Sequence, residues 1–308
     1  MTDITYRDVW DRRSGDDLAA LEAVDNSGSE EAARATGAWS AAQVCSAVEL
    51  SPTDTVLELG CGAGRIGREL LDHCGSWIGV DISPNMIQVA GQRLEGRNNV
   101  RLEVLDRTSL ECIESSSVDK AYTIAVFCHM DKEDLFLYMR ELERVLRPGA
   151  LAYLETWNLA DPVGWQRWMM EVDHWDGADQ SQRKDVARNQ FCVPEEFQLY
   201  ADRAGLQPLV CFRDSPWVQL IAGKGLEPRA IEAQRERIAS ERAQIAYSPM
   251  FGRLFLDAMN IIYGRTHPSD AIRRLRDLPP QPELAIYETY FRGMWEAQPE
   301  RFGEPPRD

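Results

Sequence analysis

The sequence predicts a doubly wound α/β protein: a mostly parallel sheet, covered by helices on both faces and closed by one antiparallel strand. Three observations predict it. Short apolar runs alternate with helical segments from Thr55 to Ala222. Each run is almost continuously apolar, as a strand buried on both faces requires. The last two runs are joined only by Arg213-Asp214-Ser215-Pro216. That link is too short for a crossover helix, so it makes an antiparallel hairpin.

The elements follow in order. TVLEL (55–59), SWIGVD (76–81), VRLEVLD (100–106), KAYTIAVF (120–127) and ALAYLET (150–156) read as buried strands. Between them, 65–74 reads as a helix. So does 84–94, where Ser83 offers an N-cap oxygen and Pro84 takes the position whose N–H is not needed. A third helix spans 132–146, with Leu135, Tyr138, Met139, Leu142 and Leu146 on one face, and Pro148-Gly149 stops it. After the fifth strand the rhythm breaks. Residues 157–192 form an insertion holding Trp157, Trp165, Trp168 and Trp175, where Trp165, Trp168 and Met169 share a helical face expected to be core. A helix over 194–204 and the hairpin strands 206–212 and 217–222 complete the sheet. Residues 1–50 read as helical, and so do residues 226–308 beyond the last strand. Phe251, Leu254, Phe255, Ala258, Met259 and Ile262 make one apolar face there. Leu284, Tyr287, Tyr290, Phe291, Met294 and Trp295 make another. Packing on the core is the expectation for both faces, and a lid or a homodimer contact is the alternative.

Composition narrows the function. The formal net charge is −16, which repels a phosphate backbone and disfavours nucleic-acid binding. Beyond Gly225, twelve Arg face thirteen Asp and Glu with no Lys, so the C-terminal part is neither a basic arm nor an acidic tail. No run approaches the roughly 20 apolar residues of a membrane span. The N-terminus is polar and lacks an apolar signal segment. Seven scattered Cys without CxxC spacing suggest reduced thiols, no structural metal and a cytoplasmic location.

The chemistry centres on Val56-Leu57-Glu58-Leu59-Gly60-Cys61-Gly62-Ala63-Gly64-Arg65, a strand running through glycines into a helix. Glycines accept the positive φ of such a turn and let a ligand approach the backbone. The helix beyond presents unpaired N–H groups. Residues 62–67 formally match the dinucleotide pattern GxGxxG, but that match starts two residues late. From Gly60 the pattern is GxGxG. Glu58 also sets a carboxylate beside the turn, which repels a pyrophosphate and attracts a cation. Asp81 ends the second strand about 20 residues on, where a carboxylate can take ribose hydroxyls. Asp106 ends the third, in reach of an adenine edge. Three acids at adjacent strand ends suit an adenosine with a positively charged tail.

ELGCGAGR, GVDISPNMIQVA, VLD and the stretch from Val118 to Leu151 with RVLRPGA resemble the class I S-adenosylmethionine-dependent methyltransferases. The resemblance spans about residues 39–225. It implies a seven-stranded Rossmann-like sheet with its last strand antiparallel, and S-adenosyl-L-methionine as cofactor. It implies that Glu58, Gly60, Gly62 and Gly64 line the methionine part and that Asp81 binds the ribose. Ile82 and Met86 would pack on the adenine, Asp106 and Arg107 would flank its amino group, and Thr123 would sit near the methionine amino group. An N-terminal aromatic often covers the cofactor, and Tyr6 and Trp10 are candidates. Gly149-Ala150 stands where the family often has Gly-Gly. Ile124 is apolar where a useful polar residue is common.

The chain then divides into a cofactor-binding methyltransferase domain over 1–225 and a helical extension over 226–308. The domain carries a helical cap over 1–50 and the Trp-rich insertion over 157–192. The expected reaction is methyl transfer to O, N or C of a small-molecule acceptor. Non-methylating chemistry on the same cofactor and a non-catalytic binding protein are the alternatives. If the acceptor needs a base, His129, just past the fourth strand, and His174, in the insertion, are the candidates, each against a structural role. The Trp and Met residues of the insertion suit an apolar or ring-containing acceptor. No sequence resembles the proline-bounded tetrapeptide of amide-methylating relatives, since the corresponding loop reads Thr123-Ile124-Ala125-Val126.

Overall fold

The computed structural model describes residues 5–179 and 188–306. Three helices come first: α1 (Tyr6–Arg13), α2 (Asp17–Asp25) and α3 (Glu30–Val48). Each opens on a side-chain cap, with Thr5, Asp16 and Ser29 accepting from the backbone N–H three residues on. Such a cap contributes about 1 kcal/mol.

Among the described residues the sheet has eight strands: β1 (Thr55–Leu59), β2 (Ser76–Asp81), β3 (Val100–Val104), β4 (Val118–Thr123), β5 (Leu146–Asn158), β6 (Phe191–Cys192), β7 (Gln207–Phe212) and β8 (Trp217–Gly223). Their order is β3-β2-β1-β4-β5-β8-β7, with β6 pairing in parallel beside the end of β5. The first five are mutually parallel, and β8 runs antiparallel to β5 and β7. Helices α4 (Arg65–Leu70), α5 (Pro84–Arg93), α6 (Lys132–Val145), α7 (Pro162–His174) and α8 (Pro194–Arg203) complete this part. Strand order reverses between β1 and β4, and a crevice opens there at the carboxyl ends of the strands.

The doubly wound sheet with an antiparallel strand is as the sequence predicts, and its details differ in instructive places. β4 stops at Thr123 because Ala125 takes a left-handed φ of 58° and a short 3-10 turn follows over Phe127–His129. β5 is longer than expected, since Leu146 already pairs with Val118 before Pro148-Gly149. The eighth strand, β6, comes from the insertion, where Trp157 and Asn158 offer a free edge to Phe191 and Cys192.

On α7 the expected core face holds for Trp168, which packs against a buried cluster, and not for Trp165. Trp165 is 50% exposed, while Arg167 and Glu171 are buried as an ion pair at 2.6 Å. A charge pair can be buried when both members find hydrogen bonds. Here Tyr263 Oη sits 3.1 Å from Arg167 Nη1 and donates to Glu171 Oε1 at 2.9 Å, and Asn189 Nδ2 donates to the same oxygen at 2.9 Å.

Six helices follow β8: α9 (Pro228–Ser240), α10 (Arg242–Ile245), α11 (Phe251–Ile262), α12 (Pro268–Arg276), α13 (Pro282–Glu296) and α14 (Pro299–Phe302). Pro228, Pro268 and Pro299 open helices where no N–H is needed. Their apolar faces turn inward. Phe251, Leu254, Phe255, Tyr287, Phe291 and Met294 share one buried cluster with Trp157, Phe191 and Trp217 of the sheet. Burial of each such side chain stabilises by about 1.5–3 kcal/mol. The extension therefore closes over the ends of β5 and β8 instead of forming a core of its own. All seven cysteines are free thiols. Among the described residues no helix is long and apolar enough to cross a membrane.

Candidate cofactor and acceptor cavity

β1 delivers the chain into the glycine turn at the reversal of strand order. Gly60 and Gly62 take φ of 74° and 50°. A Cβ on Gly60 would lie 2.4 Å from Val126 Cγ2, and one on Gly62 would lie 2.6 Å from Val24 Cγ1. Conformation and space therefore both require glycine. The turn is pinned from β2. Gly60 and Cys61 N–H donate to Val80 O at 2.8 and 3.0 Å, and Gly62 N–H donates to Asp81 Oδ2 at 2.9 Å. The other oxygen of Asp81 accepts from Ser83 N–H at 2.9 Å. A carboxylate has about four acceptor sites, so Asp81 can hold the turn and still accept from a ligand hydroxyl. Burial raises its pKa, and the Ser83 and Gly62 amides pull it back.

Glu58 lies at the end of β1, buried, and accepts a 2.5 Å hydrogen bond from Tyr122 Oη on β4. Trp77 Nε1 donates to the same Tyr122 hydroxyl at 3.2 Å. Burial pushes the Glu58 carboxyl up to about 8, against the pull of Tyr122 and of the Arg65 guanidinium. A cation beside Glu58 would replace the lost solvation and restore its charge.

These groups open onto a cavity of about 770 Å³, a volume typical of small-molecule sites. One half is built at the strand ends. Gly60, Gly62, Asp81, Ile82, Met86 and Leu105 line it, with Tyr6 and Trp10 of α1 across from them. α1 is latched in place. Arg7 Nη2 donates to Leu105 O at 2.7 Å, and Asp131 N–H donates to Tyr6 Oη at 2.9 Å. The other half lies under the C-terminal helices and is aromatic, with Trp39, Trp157, Trp217, Tyr247, Phe255 and Tyr290 among its walls. Glu58, Arg65 and Glu155 also line the cavity. The Arg65 charge acts on both glutamates, and so couples the two halves.

The structure brings Glu58, Gly60, Gly62, Asp81, Ile82, Met86, His129 and His174 onto this one cavity. Four other expected residues stand off it. Gly64 N-caps α4 and packs toward Leu94. Thr123 is buried beneath the loop that lines the cavity, and its hydroxyl has no hydrogen-bond partner. Asp106 is a correction: its side chain is 92% exposed and pairs with Arg7. Arg107 is another, since it forms an exposed pair with Glu111. The reason is local. β3 ends at Val104, Leu105 N–H bonds Asp81 O, and Leu105 turns inward, so the next residue turns out.

The two histidines face different halves. His129 packs edge-on against Trp10, with ring centres 5.1 Å apart. His174 packs edge-on against Trp175 at 4.9 Å. Sequence reasoning missed Glu155, Arg65, Tyr247 and the Arg167–Glu171 pair. Glu155 carries the signal that exposed Glu58, an acid at the end of an apolar run. Tyr247 sits in a helical region and carried no such signal.

Residues 56–149 match the family model of a methyltransferase domain. The chain is 29% identical over 134 residues to the Synechocystis 2-methyl-6-phytyl-1,4-hydroquinone methyltransferase, covering 41% of each protein. It is 37% identical over 60 residues to the ribosomal RNA small subunit methyltransferase A of Dehalococcoides mccartyi, covering 20% of this chain and 21% of that protein. These matches span less than half of either relative's length. In the solved complex of the Haloferax volcanii Trm112 methyltransferase activator with a methyltransferase, one chain superposes with a TM-score of 0.53 at 16% identity. The match covers 72% of this chain and all of that one, and shows the fold. Residues 56–149, which carry the glycine turn and β1 to β4, are thus similar to a methyltransferase domain.

Proposed function

We propose that this chain transfers the methyl group of S-adenosylmethionine to a small organic acceptor held in the aromatic half of the cavity. The observation that carries the reading is that the glycine turn and the aromatic chamber share one cavity. Donor and acceptor can therefore meet within one space. The residues suit the cofactor. The turn has no room for side chains, and two buried acids, Glu58 and Asp81, wait for a cation and for hydroxyl donors. Glu58 would hold the methionine amino group, Asp81 the ribose, and Ile82 and Met86 the adenine, while Gly60 and Gly62 let the methionine part approach. Asp106, Arg107, Gly64 and Thr123 have no direct part in this reading.

When bound, S-adenosylmethionine supplies a methyl group already activated on a sulfonium. What the chain adds is placement. β1 and β2 fix the donor side, and α11 and α13 with β5 and β8 fix the acceptor side. His129 and His174 both face the cavity and can take a proton where the acceptor releases one. A small acceptor fits the aromatic chamber and the net charge of −16 better than a nucleic acid does. Seven free thiols suit a cytoplasmic location. A homodimer through the C-terminal helices forms no part of this reading, because their apolar faces are covered within the chain.

Incubation of the protein with methyl-labelled cofactor and a metabolite extract tests the proposal. Label should appear in a small molecule. Label that stays on the cofactor during turnover would point instead to non-methylating chemistry.

A further inference from the structure

The aromatic chamber is not wholly apolar. Glu155, fully buried near the end of β5, faces it together with Tyr247, which comes from the segment between α10 and α11. The Tyr247 hydroxyl donates to both carboxylate oxygens of Glu155, at 3.1 and 3.2 Å. Tyr153 Oη donates to Glu155 Oε1. Gln219 of β8 fixes the pair from behind. Its Nε2 donates to Ile245 O at 3.0 Å, and its Oε1 accepts from Tyr247 N–H at 3.1 Å. The Tyr247 ring stacks on Phe251 with centres 3.8 Å apart and meets Trp39 edge-on. Ring and hydroxyl are thus both held in one orientation.

We propose that the Tyr247–Glu155 pair recognises the hydroxyl group of an aromatic acceptor, so that the chamber takes a hydroxylated ring. The inference rests on the reading of the chamber as an acceptor site. While Glu155 is ionised, Tyr247 spends its proton on the carboxylate and can only accept. It then selects a donor, an acceptor O–H, over an ether or a bare ring. The aromatic walls supply the faces a ring stacks on. A proton leaving that hydroxyl has a balanced route. It passes to Tyr247 Oη as the proton of Tyr247 passes to Glu155, and the acceptor oxygen keeps the bonding pair. Tyr247 would touch the acceptor. Glu155 acts through Tyr247 and is a positioning residue.

Charge around Glu155 sets when this operates. Burial pushes its carboxyl up to about 7, against the hydrogen bonds from Tyr153, Tyr247 and Gln219 and the Arg65 charge from α4. The Cys128 thiol faces it from the 3-10 turn, and Tyr287 of α13 faces Tyr247. Burial raises both of these groups, so neither titrates near neutral pH. Donor selection therefore switches on as pH rises through the Glu155 midpoint.

Phenol and anisole are the probes, titrated into protein saturated with S-adenosylhomocysteine and followed by tryptophan fluorescence or calorimetry. Phenol itself ionises only near pH 10, well above the window. The expected result is a severalfold rise in phenol affinity from about pH 6 to about pH 8, with anisole flat or falling. Glu155→Gln and Tyr247→Phe should each flatten the phenol response, with Tm checked alongside. A pairing that only docks the C-terminal helices would give no difference in pH response between the two probes. Phenol that fails to bind, or binds with the pH response of anisole, overturns the inference while leaving cofactor binding intact. Failure of S-adenosylhomocysteine itself to bind would remove the proposed function together with this inference.

Discussion

The two halves of the cavity are built on different principles. The half around Gly60, Gly62 and Asp81 is made from strand ends and backbone. Its shape is set by φ angles and by amides pinned to Val80 and Asp81. The half around Trp157, Tyr247 and Phe255 is made from side chains on a long β5, the hairpin and the C-terminal helices. Backbone geometry tolerates almost no substitution, whereas side-chain walls can be exchanged with local effect. The difference teaches where variation can change the acceptor without loss of the cofactor.

Substitutions should separate the halves. The largest effect is expected from Gly60→Ala. It forces a Cβ against Val126 at a left-handed φ, and should cost about 2 kcal/mol of stability or more. Thermal melting reads the loss, and calorimetry should show cofactor binding abolished. Next comes Asp81→Asn, which keeps much of the turn but gives up a charged acceptor. Cofactor affinity should fall about tenfold to a hundredfold, by the value of a hydrogen bond to a charged group, with a smaller change in Tm. By contrast, Ile286 lines the cavity from α13, so Ile286→Trp should narrow the aromatic half while the cofactor titration stays within about twofold. A tenfold loss there would break the division into two halves.

The smallest expected effect is on pH dependence. Burial holds Glu58 at about 8 and Glu155 at about 7 in the folded protein, above the ordinary glutamate value of about 4.3. Between those limits the folded chain holds more protons than the unfolded one. Stability therefore falls as pH rises through about 7 and about 8. The Tm of the cofactor-free protein should drop by a few degrees over that range. Glu58→Gln should remove the upper part of the slope, and an unchanged slope would contradict the assignment.

The sequence disclosed the two halves unequally, for the same physical reason. Glu58 and Asp81 were legible because an acid at the end of an apolar run is costly, and a ligand is a common compensation. The doubly wound sheet and its antiparallel hairpin were legible from the alternation of apolar runs with helical segments and from the four-residue link before Trp217. Asp106 and Arg107 misled because β3 ends at Val104, and inward and outward positions after a strand are set by local hydrogen bonds such as Leu105 N–H to Asp81 O. α7 misled because amphipathic patterns assume that charges face water. There Arg167 and Glu171 pair inside, helped by Tyr263 and Asn189, and Trp165 is left out. Tyr247 could not be assigned, because its partner, Glu155, lies 92 residues away in sequence.

The central claim is that the strand-end half binds S-adenosylmethionine, and calorimetric titration of that cofactor into the protein tests it most directly. One site per chain with a Kd between about 1 μM and 1 mM, the range usual for an enzyme's substrate, is the predicted result. The absence of any binding heat for both S-adenosylmethionine and S-adenosylhomocysteine at millimolar concentration would contradict it.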